Sequence, residues 1–132
     1  MIQNEEFIRE FIEEALAHMD TVENGLLKIS KSGEDSSAIN DIFRAVHSIK
    51  GTAGFLGLKN IVEVSHAMES IFGEFRNGKK AVEQYKVDIL FSVYDFLKSL
   101  IIDSVNSNSY DISVELKKLQ EIGTQEVKKK RE

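Results

Sequence analysis

Residues 36–76 read SSAINDIFRAVHSIKGTAGFLGLKNIVEVSHAMESIFGEFR. Two amphipathic stretches flank a joint punctuated by glycine. Before the joint, Ile39, Ile42, Phe43, Val46, Ile49 and Ala53 recur at helical spacing, which predicts a helix beginning near Ser36 or Ser37 with one apolar face. After it, Ile61, Val64, Met68, Ile71, Phe72 and Phe75 repeat the pattern over residues 58–76. Gly57 suits the left-handed residue that ends the first helix, and Asn77-Gly78 stops the second. A joint this short forces the two helices to lie antiparallel.

The same periodicity extends outward in both directions. Residues 4–31 carry Ile8, Ala15, Val22 and Ile29 at intervals of seven, with Ile12, Met19 and Leu26 between them. Phe7, Phe11, Leu16 and Leu27 widen the stripe, as a bundle member requires. SGEDSS at 32–37 is free of apolar residues and reads as a turn. Residues 84–106 form a fourth helix burying Val87, Leu90, Phe91, Tyr94, Leu97, Leu100 and Ile101, broken by NSNSYD. A short last helix spans 112–122, with Val114 or Glu115, Leu116 and Leu119 facing inward. The expected fold is all-α, an antiparallel up-down four-helix bundle with an additional short C-terminal helix. Residues 1–125 form the domain; the charged tail 126–132 reads as the start of a linker or as a solvated terminus.

Composition narrows the function. The chain of 132 residues is 42% hydrophobic, enough for one core, and its net charge of −5 lacks the basic excess of a nucleic-acid binder. It has no cysteine, which excludes thiolate metal sites and cysteine nucleophiles, and no proline, which favours long uninterrupted helices. No apolar run reaches the ~18–20 residues of a membrane span, and the first 15 residues are too acidic for a signal peptide, so a cytoplasmic location is expected.

Of the three histidines, His47 draws most notice. At 100° per residue it lies roughly 105° from the centre of its helix's apolar face, at the solvent edge. Lys50, Gly51 and Gly54 share that flank. Each glycine inside a helix costs about 1 kcal/mol relative to alanine, which makes sense if a partner must approach the imidazole closely. Antiparallel pairing about the joint, with residue numbers summing to about 113, sets His47 level with His66 and Arg44 level with Glu69. A histidine, a carboxylate and a lysine therefore converge on His47. A carboxylate accepting the Nδ1 proton would orient the ring and leave Nε2 unprotonated, a nucleophile able to attack a phosphoryl group.

The segment FRAVHSIKGTAGFLG at 43–57, followed by HAME at 66–69, resembles the histidine phosphotransfer (Hpt) family. Within it, the resemblance is to the N-terminal phosphoacceptor domain of CheA-type chemotaxis histidine kinases, and it covers nearly the whole chain. It implies that His47 is phosphorylated and that Glu69, Lys50 and His66 form the hydrogen-bonding set that tunes it. Gly51 is the small residue implied to let the partners dock, and Gly54 and Arg44 are expected to join it as docking residues. The implied partners are a kinase ATP-binding domain and response-regulator receiver domains, CheY-like or CheB-like, with no cofactor, nucleic acid or membrane. The domain alone carries no ATP site and acts as a phosphocarrier, its parent being a histidine protein kinase.

Other readings are open. His18 has no polar partner at a useful spacing and reads as a partly buried or surface histidine. A di-iron bundle would need Glu-x-x-His twice, whereas this chain has His-x-x-Glu once. A stand-alone phosphorelay protein and a helical interaction module without chemistry complete the set.

Overall fold

The described residues of this computed structural model form five α-helices and one 3-10 turn; the backbone is described for residues 2–79 and 81–131 and the side chains for 5–79 and 81–123. They are α1 (Ile2–Ser32), α2 (Ser36–Phe55), α3 (Lys59–Arg76), α4 (Gln84–Ile102) and α5 (Ser113–Arg131), with the 3-10 turn at Ser104–Ser109 between the last two. Helices α1 to α4 pack as a closed ring, each against its neighbours in sequence and α1 against α4, while α5 lies on α3 and α4. The core follows the predicted stripes: Met19, Val22 and Leu26 meet Ile42, Val46, Val64, Met68, Phe72 and Leu97, all fully buried.

Local chemistry sets the ends of the two central helices. The Asp35 carboxylate caps α2 by accepting from the Ala38 N–H at 3.0 Å. At its other end Gly57 adopts φ 74°, and the Gly57 and Leu58 N–H groups donate back to the Gly54 and Ala53 carbonyls. This closure satisfies the last carbonyls and turns the chain straight into α3, with Leu58 buried beneath it.

Several boundaries differ from the sequence reading. Helix α4 ends at Ile102, not near 106, because Asp103, Ser104, Asn106 and Ser107 bond locally with their own side chains and compete with helical pairing. Helix α5 runs to Arg131 and is not short. The side chains of the tail 126–132 lie outside the described residues. Phe7 and Leu27 are each 47% exposed, since α1 is covered among the described residues by α2, α4 and the edge of the 3-10 turn. Phe91 is only half-buried, and on α5 Val114 faces solvent while Leu119 and Ile122 face in.

Two buried polar groups carry structure that the apolar pattern did not reveal. Asn60, at the start of α3, donates to the Ser107 and Tyr110 carbonyls at 2.8 and 2.9 Å and ties the 3-10 turn to the α2–α3 corner. Lys86 is fully buried and reaches the Ala81 carbonyl at 2.9 Å and Glu83 at 3.3 Å, closing the connection into α4.

Helices α1 and α2 approach closely at Gly25. A Cβ there would lie 2.6 Å from Cγ1 of the fully buried Ile42 and 3.3 Å from the Ala38 carbonyl. Overpacking of this kind costs ~1–3 kcal/mol. That exceeds or cancels the ~1 kcal/mol that alanine gains over glycine in a helix. Gly25→Ala is therefore expected to lower Tm despite its better helix propensity, as a thermal melt would show; an increase would mean the α1–α2 contact yields freely.

Candidate functional site

His47 stands on the exposed flank of α2 with 63% of its side chain open to solvent. Its Nδ1 is hydrogen-bonded to Oε2 of Glu69, which projects from α3 and is only 11% exposed. The second oxygen of the same carboxylate, Oε1, accepts from Lys50 Nζ at 2.6 Å. One carboxylate therefore bridges two α2 side chains spaced one turn apart.

Burial pushes the Glu69 carboxyl up, but the hydrogen bonds from Lys50 and His47, reinforced by their charges, outweigh it and hold the group below the ordinary glutamate range. A carboxyl lowered by folding contributes stability above its ordinary range and loses it as pH falls through the lowered value. At neutral pH Glu69 is thus an ionised acceptor. An ionised acceptor at Nδ1 requires a proton on that nitrogen, so the neutral ring carries its lone pair on Nε2, directed away from Glu69.

The helix register differs from the sequence estimate, and the difference decides which residues meet. The pairs His47–Glu69, Phe43–Gly73 and Gly54–Val62 all face one another. Their residue numbers sum to about 116, three more than estimated; helical side chains lean toward their own N-terminus and so meet about one position later on each helix, which accounts for two of the three. His66 is consequently level with Lys50, stands exposed, and makes no hydrogen bond to the trio among the described residues. Its expected place in the network is corrected accordingly. Arg44 is not beside Glu69 either: it lines a small cleft of about 180 Å³ facing α1, together with His18, Thr21 and Asp41.

A larger cleft of about 540 Å³ opens between α1 and α2 beside His47, lined by Glu14, His18, Ser48, Gly51, Thr52 and Phe55. His18 is half-buried as expected, but its position across the cleft from His47 was not read from the sequence. Phe55 is 83% exposed at the rim. Gly51 lies inside α2 and a Cβ there would touch nothing within 4 Å; at Gly54 the nearest atom would be a Val62 methyl at 3.9 Å. Neither glycine is required by packing. Together they leave a strip of bare backbone along the approach to the ring. Among the described residues no group of three His, Asp or Glu side chains is placed to hold a metal, and no helix is long and apolar enough to cross a membrane.

A four-helix bundle that exposes one imidazole and braces it from the neighbouring helix defines the class of histidine phosphotransfer domains. The sequence profile described as the Hpt domain matches residues 6–107, and the chain belongs to that family. It is 33% identical over 93 residues to the chemotaxis protein CheA of Listeria monocytogenes, a match covering 70% of this chain and 15% of that protein. The chain thus spans a small fraction of the curated relatives it matches. The solution structure of the histidine phosphotransfer domain of CheA superimposes with a TM-score of 0.76 at 26% identity, covering 89% of this chain and 91% of the other. The phosphorylated P1 domain of CheA3 in complex with CheY6 from R. sphaeroides shares the fold, with a TM-score of 0.78 at 21% identity over 87% and 93% of the two chains.

Proposed function

We propose that His47 accepts a phosphoryl group from ATP bound to a separate kinase domain and passes it to an aspartate of a response regulator. The observation that carries this reading is the imidazole itself, solvent-facing at one nitrogen and tied at the other to an ionised, lysine-anchored carboxylate. In the first step the Nε2 lone pair attacks the γ-phosphorus. The Nε2–P bond forms as the bond to the bridging oxygen breaks, and that electron pair leaves with ADP. Nδ1 keeps its proton throughout, and the positive charge that develops on the ring is offset by Glu69. In the second step an aspartate oxygen attacks phosphorus, the Nε2–P bond breaks, and its electron pair returns to Nε2.

Lys50 has two parts in this scheme. It holds Glu69 in place and ionised, and its charge lies one turn from the incoming phosphoryl oxygens. His66 is left out of the acting set. Gly51, Gly54 and Arg44 belong to the surface on which partners dock. The matched relatives are chemotaxis proteins named CheA, and one structural neighbour was solved in complex with CheY6. These support reading residues 1–125 as the amino-terminal domain of a larger cytoplasmic CheA-like kinase, with 126–132 beginning a linker and a CheY-like or CheB-like receiver as the recipient.

Gly51→Gln tests the docking part separately from the chemistry. A Cβ at this exposed position meets no atom within 4 Å, and glutamine is the better helix former by roughly half a kcal/mol, so the fold should be as stable as before or slightly more so. The new side chain projects along the approach to His47. Transfer to a receiver domain is expected to fall at least about tenfold, by the loss of close approach at the reacting atoms. Undiminished transfer would remove Gly51 from the docking surface.

A further inference from the structure

We propose that Phe43 is a positioning residue for His47, clamped in place by Arg76, and that it sets the plane in which the reactive ring lies. This rests on the reading of His47 as the phosphoacceptor. Phe43 precedes His47 by four residues, one turn along the same flank of α2. The two rings are parallel to within 7°, with centroids 6.3 Å apart, an offset stack. The Arg76 guanidinium, from the end of α3, lies 3.9 Å from the Phe43 ring centroid. Arg76 Nη1 is also 3.5 Å from Asn40 Oδ1, a further tie to α2. The edge of the Phe43 ring rests against Gly73, where an added Cβ would come within 3.4 Å of Cε2.

The hydrogen bond to Glu69 restrains the distance between one ring atom, Nδ1, and one carboxylate oxygen. It leaves the imidazole free to swing by coupled rotation about χ1 and χ2 while that distance is kept, because a carboxylate oxygen accepts over a broad range of directions. With 63% of the side chain exposed, no dense packing removes that freedom. A flat, immobile neighbour parallel to the ring does remove it. Glu69 thus determines the tautomer and anchor point, while Phe43 determines the plane and hence the line along which Nε2 meets phosphorus. Phe43 can serve this way only if its own ring is held, and Arg76 over the face with Gly73 at the edge holds it.

The test uses this 132-residue chain as wild type, Phe43→Leu, Phe43→Tyr and Arg76→Gln. Each is measured three ways: Tm, the His47 ring signals by heteronuclear NMR, and the initial rate of phosphorylation by the ATP-binding domain of a CheA-type kinase with ATP. For Phe43→Leu the expected result is a rate lower by about five- to tenfold, as for a reactant that regains rotational freedom. Its His47 ring protons should lose their ring-current shift while the Nδ1–H tautomer is retained. Phe43→Tyr should restore the rate to within about twofold by restoring the flat ring. Arg76 is exposed, so Arg76→Gln leaves the core untouched; it should lower the rate about two- to threefold through the loosened Phe43. A wild-type rate in both Phe43→Leu and Arg76→Gln would overturn the proposal, as would a loss in Phe43→Tyr equal to that in Phe43→Leu. The ring signals are read without any phosphorylation. If His47 proved not to be the acceptor, the stack would still be visible there, and the two failures would be distinguishable.

Discussion

His47→Gln is expected to accept no label from ATP in the presence of a CheA-type kinase domain, while melting within about 0.5 kcal/mol of wild type, as befits a largely exposed position. Glutamine is close in length and can still bond to Glu69, but its amide nitrogen has no lone pair available for attack. The loss should be complete because neither remaining histidine can substitute. His66 is exposed but lacks a carboxylate partner among the described residues, and His18 is half-buried without a hydrogen bond among them. Acid-labile, alkali-stable label on wild type and none on His47→Gln is the expected outcome of a filter assay. Label retained by the variant would move the acceptor elsewhere.

Glu69→Ala has the second-largest expected effect, a fall in phosphorylation rate of about tenfold to a hundredfold. Without the carboxylate the ring loses its anchor, the proton distributes between both nitrogens, and the charge that develops on the ring goes uncompensated. Stability should change little, by about 1 kcal/mol at most, because His47 and Lys50 both reach solvent and are rehydrated when their partner is removed. Glu69→Gln refines the comparison: its carbonyl still accepts from Nδ1 but carries no charge. A rate between those of wild type and Glu69→Ala would apportion the effect between orientation and electrostatics. Initial rates alongside thermal melts provide the check; an unchanged rate in a folded Glu69→Ala protein would show that the ring needs no carboxylate.

The helices are legible in the sequence because each buried stripe is long and regular: Ile39 to Ala53 and Ile61 to Phe75 read as facing surfaces from their spacing alone. Periodicity fails where side chains other than apolar ones decide the backbone. The Asp-Ser-Val-Asn-Ser segment after Ile102 bonds to itself and ends α4 early, and an apolar pattern does not register such competition. At the site, the convergence of His47, Lys50 and Glu69 is legible from spacing, but arithmetic that ignores the lean of helical side chains misjudges the level of contact and places His66 in the network. The wall contributed by α1 was missed for a different reason. Antiparallel arithmetic applied to the turn at residues 33–35, with residue numbers summing to about 68, would have set His18 within a turn of Ser48 and Glu14 within a turn of Thr52, and all four line the cleft beside His47. Lys86 and Asn60 gave no signal, since a lone polar residue on a helix reads as surface until the packing around it is known.

The proposed chemistry centres on one atom, Nε2 of His47, and the most direct measurement identifies the nitrogen that carries phosphorus. The chain, phosphorylated by a CheA-type kinase domain and ATP, is studied by phosphorus- and nitrogen-detected NMR. A single phosphoryl group coupled to Nε2 of His47, with a proton retained on Nδ1, is the expected result. Phosphorus on Nδ1, or on His18 or His66, would contradict it.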